Sequence, residues 1–277
     1  LLGLLWSQSL YSAEEQDWYR SASFYHIWLK SFAASHTQHE VGDIQGIIQH
    51  FDYLNDGKAN KGEDLEVDAI LLSPFYLSAR SSEDPLDNIH GYDVIDYYQV
   101  NPVFGDKNDL KQLLELAHSR GVKVLFDFVP AYTSIKHPWF IASAKGGDKR
   151  DWYVWDTQPS SQWQAAWGGG HWQDVWKAHA SGYFYSYFQS SEIADLNLHN
   201  PQVRQALQQV LKYWLDFGFD GARIDGAPYL IEDGPGKQAD RPETFQILQE
   251  YRAIADSYEP NKVLIAETWR PSELVSK

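Results

Sequence analysis

The stretch "DFGFDGARIDGAPYLIEDG", residues 216–234, decides the fold of this chain. Its centre, residues 219–225, is a short run of small and apolar residues that predicts a buried strand. Arg223 and Asp225 nevertheless lie two positions apart at the end of that strand, and Gly226 follows at once. Alternate residues of a strand point to the same side, so we expect the guanidinium to hold the aspartate ionised. Gly226 lacks a Cβ and leaves room for close approach.

Strand-like and helix-like patterns alternate along the rest of the chain. Short apolar runs predict four further buried strands, at residues 24–29, 68–73, 122–129 and 262–267. Apolar residues at helical spacing predict helices at 107–120 and 201–217, and weaker patterns predict helices at 43–54 and 242–257. Repeated strand–helix units with buried strands imply a parallel sheet covered by helices, either doubly wound or closed into a barrel.

Capping residues mark both ends of the two strongest helices. Asp106 and Asn200 are the expected N-caps, and Pro201 occupies the first helical position of the second helix. Gly121 and Gly218 stand where a helix ends in a left-handed residue.

Composition narrows the class of partner. With 277 residues and 43% hydrophobic content, the chain can form one large domain or two ordinary ones. A formal charge of −15 repels phosphate backbones and anionic lipid, so we expect neither a nucleic acid nor a membrane as partner. No apolar run approaches the roughly 18 residues of a membrane span. The 15% aromatic content suits stacking against sugars, so we expect an oligo- or polysaccharide partner.

The N-terminal stretch "LLGLLWSQSLYSAEEQ" resembles the end of a secretory signal, with an apolar run followed by small residues near Ala13. We therefore expect residues 1–13 to be a signal-peptide remnant and the protein to be secreted or periplasmic. If the run is instead an ordinary amphipathic start, a cytoplasmic location follows. The chain has no Cys, which excludes disulfides, thiolate metal sites and a thiol nucleophile.

One connection is too long for a simple strand–helix unit. About seventy residues, 130 to 200, separate the strand at 122–129 from the helix at 201, and they are rich in Trp and Gly. A connection of that length indicates an inserted subdomain or a functional loop. Neither a G-x-G-x-x-G pattern nor a Walker-type loop follows any strand, which argues against nucleotide binding.

Three predicted strands end in an acid: Asp127, Asp225 and Glu267. In a parallel β/α barrel, side chains at the C-terminal ends of different strands converge on one mouth. Two facing carboxyl groups serve glycoside hydrolysis, because one attacks the anomeric carbon and the other protonates the leaving oxygen. An aspartate at a strand end is also a common cap of the next turn, so a single one would carry little weight.

The sequence resembles the α-amylase family, glycoside hydrolase family 13, over most of its length. The matching segments occur in the family's order: "SFYHIWLKSF", "VDAILLSPFYLSA", "HGYDVIDYYQVNPVFG", "VKVLFDFVPAYTSIKHPWF", "ADLNLHNPQVR", "FDGARIDGAPYL" and "VLIAETW". The resemblance implies an α/β fold, a (β/α)8 TIM barrel of which this chain carries strands 1–5. It assigns residues 14–130 and 193–277 to the barrel and 131–192 to a small domain inserted after strand 3.

The same resemblance implies roles for individual residues. Asp225 becomes the nucleophile and Glu267 the general acid/base, while Arg223 orients the nucleophile. Tyr92 of "HGYD" matches an aromatic residue that stacks on the sugar, and Asp127 matches an acid beneath the site. We group Arg223, Tyr92 and Asp127 with the substrate-binding residues.

Two departures from the family occur directly after the third strand. Where the family usually has Asn and His, this chain has Ala131 and Tyr132. An alanine side chain cannot ligate calcium, so we assign no metal site and no certain cofactor, and calcium stays a candidate cofactor whose usual ligand position is Ala131. Tyr132 takes the place of a sugar-contacting histidine and joins the substrate-binding set. Pro228 and Tyr229 replace the Lys-His of many α-amylases, as in some α-glucosidases and trehalose-forming relatives.

The family's third carboxylate, from the seventh strand, has no counterpart before Lys277. Five strands cannot close an eight-stranded barrel, so we expect a fragment that is unstable or inactive alone, with an exposed strand edge.

Three functions compete on these residues. The first is a retaining α-glucan hydrolase acting on α-1,4 bonds of starch or malto-oligosaccharides. The second is an α-glucosidase or a trehalose-type glucosyltransferase or isomerase with the same covalent intermediate. The third is a catalytically silent sugar-binding or transporter accessory barrel. Tryptophans of the insertion are candidates for sugar stacking, although for any one of them a place in the insertion's core is favoured: Trp155, Trp163, Trp167 and Trp172.

Overall fold

The computed structural model describes residues 18–36, 41–58, 63–79 and 90–269. The signal-peptide remnant expected at residues 1–13 lies outside these ranges.

Strands and short helices alternate along the described residues. The strands are β1 (Phe24–Ile27), β2 (Ala69–Leu72), β3 (Tyr76–Ser78), β4 (Val94–Val100), β5 (Lys123–Phe128), β6 (Tyr132–Ser134), β7 (Trp155–Asp156), β8 (Trp176–His179), β9 (Gly182–Tyr185), β10 (Ile193–Asp195), β11 (Gly221–Ile224) and β12 (Val263–Ala266). The α-helices are α1 (Leu29–Phe32), α2 (Ile44–Gln49), α3 (Phe51–Leu54), α4 (Lys107–Ser119), α5 (Pro138–Ala144), α6 (Trp172–Val175), α7 (Pro201–Phe217) and α8 (Pro242–Asp256). Short 3-10 helices lie at Trp18–Arg20, Gly147–Trp152 and Ala227–Tyr229.

The central sheet has the order β1-β2-β5-β11-β12, and every neighbouring pair is parallel. These are the five strands that the apolar runs predict, each within two residues of its expected ends. The three middle strands, β2, β5 and β11, are buried along nearly their whole length, as is usual in parallel sheets.

The outer strands of this sheet are less well covered in the described part of the chain. Phe24 on β1 and Ile265 on β12 are each more than a third exposed. Each strand pairs with a single neighbour there, which agrees with the expectation that five parallel strands leave two open edges.

Helix ends follow the capping signals of the sequence. The Asp106 side chain accepts hydrogen bonds from the backbone N–H groups of Asn108 and Asp109. The Asp109 carboxylate accepts one from the Asp106 backbone N–H, which completes a capping box. The Asn200 side chain accepts from the Gln202 N–H at 2.8 Å at the start of α7. Polar side chains thus satisfy backbone donors that a helix start leaves without partners.

The apolar stripe of α7 buries one side of this helix in the hydrophobic core. Val203, Leu207, Val210, Leu211 and Trp214 are fully buried along it. The Trp214 indole N–H donates to the backbone oxygen of Tyr97 at 2.8 Å, so its polar atom is satisfied inside the core. Each fully buried side chain of this size contributes about 1.5–3 kcal/mol to folding.

The chain leaves the central sheet after β5 and returns to it through α7. Between them, β6 and β10 pair antiparallel, with Tyr132 opposite Asp195 and Ser134 opposite Ile193. A separate antiparallel sheet, in the order β7-β9-β8, lies in the same interval. We name the β6–β10 pair the clasp, because it joins the beginning and the end of the inserted segment. The domain limits 131–192 stay a prediction.

None of the described helices combines the length and the apolar character that crossing a bilayer requires.

Candidate active site

The C-terminal edge of the central sheet gathers four charged side chains. Asp127 belongs to β5, Arg223 to β11, and the two strands pair so that these residues are direct neighbours. Asp225 follows β11, and Glu267 follows β12. Since parallel strands end at one edge, residues up to 140 positions apart meet there.

Arg223 is the centre of this group. Its Nη1 atom lies 2.6 Å from both carboxylate oxygens of Asp127 and 3.1 Å from Oδ1 of Asp225. Its Nη2 atom lies 2.7 Å from Oε2 of Glu267. One guanidinium therefore neutralises part of the charge of three carboxyl groups, and its own pKa is raised by Asp127 and Asp225 despite burial.

Asp127 lies beneath the site and is fully buried. Tyr92 donates its hydroxyl to Oδ2 of Asp127 at 2.8 Å, and Arg223 Nη1 donates to the same hydroxyl oxygen at 3.3 Å. Burial raises the pKa of the Asp127 carboxyl, and Arg223 opposes that shift. Asp127 does not line the cavity that opens over the site, and its place in the substrate-binding set stays a prediction. Its contacts instead hold Arg223 and Tyr92 in place.

Asp225 is 3% exposed and is held by three groups. Its backbone N–H donates to the Phe128 oxygen at 2.8 Å, Arg223 contacts Oδ1, and the Tyr132 hydroxyl donates to Oδ2 at 2.7 Å. Burial raises the pKa of Asp225, the nearby Asp127 and Glu267 charges add to the rise, and Tyr132 and Arg223 oppose it. Arg223 is thus one of two donors that favour the ionised form.

Glu267 is less enclosed than Asp225. Its side chain is 24% exposed, and its Oε2 accepts a hydrogen bond from the Gly226 N–H at 3.0 Å. Gly226 has φ +57°, in the left-handed region, and a Cβ there would collide with the Tyr187 hydroxyl. A glycine at this position therefore lets the backbone N–H reach the glutamate.

A cavity of about 740 Å³ opens over these groups. Five of the six residues in our catalytic and substrate-binding sets line it: Tyr92, Tyr132, Arg223, Asp225 and Glu267. Aromatic walls complete it: Trp167, Tyr187, Phe188, Tyr229 and Trp269. Flat apolar faces beside paired carboxyl groups suit a sugar ring.

Sequence reasoning places most tryptophans of the insertion correctly but misses part of the aromatic wall. Trp163 is buried, and Trp155 and Trp172 pack partly buried against the core, as expected for each of them. Trp167 is the exception, since it is 55% exposed and lines the cavity.

Tyr187 and Phe188 belong to "GYFYSYF", and Tyr229 follows β11. The only signal in the sequence is their aromatic character, which large cores also use.

Metal binding has little support among the described residues. They contain no group of three His, Cys, Asp or Glu side chains that could hold a metal ion. Ala131 is buried and offers no side-chain oxygen, and its backbone oxygen accepts the Leu196 N–H at 2.8 Å. The residues at this position do not fit the calcium ligand set, so no step of the chemistry is assigned to a metal.

A parallel β/α sheet with paired carboxyl groups at its C-terminal edge and an aromatic cavity is typical of a glycosidase-type barrel. The family model "Alpha amylase, catalytic domain" matches residues 26–277. The chain belongs to the α-amylase family.

Individual relatives and a solved structure agree with this family. Alpha-amylase 3 of Dictyoglomus thermophilum is 32% identical over 256 residues, which cover 92% of this chain and 44% of that protein. Trehalose synthase of Pimelobacter sp. is 34% identical, with 97% of this chain and 45% of that protein covered. The α-amylase from H. orenii, a solved structure, is 36% identical, with a TM-score of 0.76 and 92% and 49% coverage.

These comparisons confirm the fold that the sequence predicts. The five parallel strands form part of a (β/α)8 barrel. The chain spans about half the length of the curated relatives it matches.

Proposed function

We propose that this protein cleaves α-glucosidic bonds with Asp225 as the nucleophile and Glu267 as the general acid/base. The observation that carries the proposal is that one guanidinium, Arg223, holds both carboxyl groups at the wall of one aromatic cavity. Paired carboxyl groups of this kind divide the work of glycoside hydrolysis.

The difference in exposure supports this division of roles. Asp225 is 3% exposed and fixed by hydrogen bonds from two sides, as suits a nucleophile that must keep one orientation. Glu267, with its side chain 24% exposed, can exchange a proton with solvent between the two half-reactions.

Each step then has a group in place. Asp225 attacks the anomeric carbon while Glu267 gives its proton to the leaving oxygen. Glu267 next takes a proton from water, whose oxygen displaces Asp225 from the sugar. The developing positive charge on the sugar ring is favoured by the carboxylates of the pocket, because Arg223 neutralises only part of their charge.

The substrate class is an oligo- or polysaccharide with α-1,4-linked glucose, in keeping with the amylase among the relatives. The experiment follows products from maltoheptaose and maltose by chromatography, with the protein at its natural full length. Short oligomers support the α-glucan hydrolase. An NMR time course that shows the α-anomer first supports retention, and the β-anomer first would contradict it.

A second candidate is an α-glucosidase or a glucosyl-transferring enzyme. It is favoured by the trehalose synthase among the relatives and by Pro228 and Tyr229 after the nucleophile strand. Glucose as the sole product of maltoheptaose supports the glucosidase, and trehalose from maltose supports the transferring enzyme.

Asp225→Asn tests the nucleophile directly. The change keeps the shape of the side chain but removes its charge, so we expect turnover to fall by about 10³-fold or more. The initial rate on a chromogenic α-glucoside measures it.

Asp216→Asn is the matched control, because Asp216 is exposed and pairs only with surface groups. An Asp225→Asn rate within a few-fold of the parent would contradict the proposal. A parent without any turnover would favour the silent sugar-binding barrel.

A further inference from the structure

Tyr132 connects the clasp to Asp225. The residue is 1% exposed, and its ring makes edge contacts with Tyr187 at 5.8 Å and Phe188 at 5.1 Å between centroids. Its backbone pairs with Asp195 across the clasp, and its carbonyl oxygen accepts the Tyr97 hydroxyl at 3.1 Å. Both ring and backbone are therefore fixed before any ligand arrives.

The hydroxyl of Tyr132 has one acceptor, Oδ2 of Asp225, at 2.7 Å. Burial and the Asp225 charge raise the pKa of this phenol, which keeps it protonated and makes it a permanent donor. Arg223 supplies the other side-chain donor, to Oδ1. The two oxygens of the carboxylate are thus held by groups from two different parts of the chain.

The surroundings of Asp225 explain why a second donor matters. Asp127 and Glu267 place negative charge near it, and burial disfavours its ionised form. Arg223 is the one cation in contact with Asp225 among the described residues, and it is shared with both other acids. The phenols of Tyr92, Tyr97 and Tyr187 also feel the Asp225 charge. The hydroxyls of Tyr92 and Tyr97 donate to other acceptors, and the Tyr187 hydroxyl has no hydrogen-bond partner among the described residues.

We propose that Tyr132 is a positioning residue that fixes the orientation of the Asp225 carboxylate and keeps it ionised, rather than a residue that binds the sugar. This inference rests on the proposed role of Asp225 as nucleophile. It also gives a function to one departure of this chain from its family, the tyrosine that replaces histidine.

The test is Tyr132→Phe, which removes one oxygen and keeps the ring. Without the hydroxyl the ionised form of Asp225 loses a charged hydrogen bond, so its pKa rises further. Because the nucleophile must be ionised, the acidic limb of the kcat/KM profile is expected to move up by about one pH unit. Below that limb, kcat/KM falls about tenfold relative to the parent at the same pH.

Tyr153→Phe is the matched control. Tyr153 is also buried, and its hydroxyl lies 2.6 Å from the Thr133 hydroxyl rather than near a carboxylate. Tyr153→Phe removes the same group, a buried phenol hydroxyl, but at a site away from Asp225. We therefore expect the acidic limb of its kcat/KM profile to stay in place. An unchanged limb in Tyr132→Phe, or an equal shift in both variants, overturns the positioning role.

A double-mutant cycle gives a readout that does not depend on turnover. Free energies of unfolding are measured for the parent, Tyr132→Phe, Asp225→Asn and the double variant. A hydrogen bond to a charged partner predicts that Tyr132→Phe costs more stability beside Asp225 than beside the asparagine. If the losses of unfolding free energy in the two single variants simply add up in the double variant, the hydrogen bond between Tyr132 and Asp225 does not stabilise the protein and the proposal is contradicted.

The two proposals can fail separately. If Asp225→Asn keeps full turnover, the nucleophile assignment fails, whatever Tyr132→Phe does. If Asp225→Asn is inactive and the acidic limb of Tyr132→Phe does not move, only the role of Tyr132 is wrong.

Discussion

Arg223 sets the charge of the pocket because it is a single cation among three acids. When two of the three carboxyl groups around Arg223 are ionised, the four side chains together carry a net negative charge. This charge suits a transition state with positive charge on the sugar ring. The sequence predicted the Arg223–Asp225 contact from the two-residue spacing on one strand. It could not predict the Tyr132–Asp225 contact, because the two residues are 93 positions apart and meet only through the tertiary fold.

We expect Trp167 to favour the binding of longer substrates over shorter ones. It is 55% exposed at the rim of the cavity and makes an edge contact with Tyr229 at 6.5 Å. An exposed indole face offers a second sugar ring a stacking surface.

Trp167→Ala is therefore expected to raise KM for maltoheptaose about tenfold, equivalent to about 1.4 kcal/mol of binding free energy, and to change KM for a chromogenic monoglucoside much less. Steady-state kinetics on both substrates measure the difference. Phe245→Ala is the control, since Phe245 is similarly exposed on α8 and lies outside the lining of the cavity. Equal KM changes for the two substrates would show that Trp167 does not contact the second ring.

At the scale of elements, β11 depends on close contact with β12. Gly221 is buried in β11, and a Cβ there would collide with the backbone oxygen of Val263. A backbone oxygen within a sheet cannot move aside as a flexible side chain can.

Gly221→Ala is expected to reduce the free energy of unfolding by about 2–3 kcal/mol and to lower turnover, because β12 carries Glu267 to the site. Chemical denaturation and the initial rate measure the two effects. Gly121→Ala is the control, since that glycine has φ +75° but open space around its Cβ position. It should cost only about 1 kcal/mol of backbone strain and leave turnover unchanged. Equal costs for both variants would rule out the strand collision.

The elements that the sequence predicted are those with strong local signals. The helices α4 and α7 and the five central strands have caps, periodicity or continuous apolar runs, and they were placed within two residues. β4 was not predicted as a strand, and its seven residues show no regular alternation of buried and exposed positions in the structure. The strands of the insertion were also missed, because they are short aromatic runs whose pairing depends on long-range contacts.

For the whole molecule, a buried acid outside the cavity should set part of the pH dependence of stability. Asp195 in the clasp is 2% exposed; its Oδ1 accepts the Tyr187 N–H at 3.3 Å, and its Oδ2 has no partner in the described residues. Burial raises the pKa of Asp195 well above its ordinary value, and the pKa of Glu232 is raised by burial and by the Asp195 charge.

A raised pKa means that the folded state binds the proton more tightly than the unfolded state. The stabilising effect is therefore complete below the unfolded pKa of about 4 and is lost as pH rises toward the folded pKa. Asp195→Asn removes this dependence, so we expect its Tm to exceed that of the parent by about 3 °C at pH 8 and by much less at pH 4.

Thermal melts at the two pH values measure it, with the exposed Asp151→Asn as a control that should match the parent at both. If the Tm difference between Asp195→Asn and the parent does not grow from pH 4 to pH 8, ionisation of Asp195 does not destabilise the folded state.

The clasp also bears on how such a chain can be re-engineered. Three residue pairs of one short antiparallel ladder, at 132–134 and 193–195, join the two ends of the intervening segment. A graft that exchanges residues 136–192 and keeps this ladder would retain the contact of the Tyr132 hydroxyl with Asp225 while replacing Trp167, Tyr187 and Phe188 in the cavity wall. The clasp is thus a junction at which the Asp225–Glu267 carboxyl pair can be combined with different cavity walls.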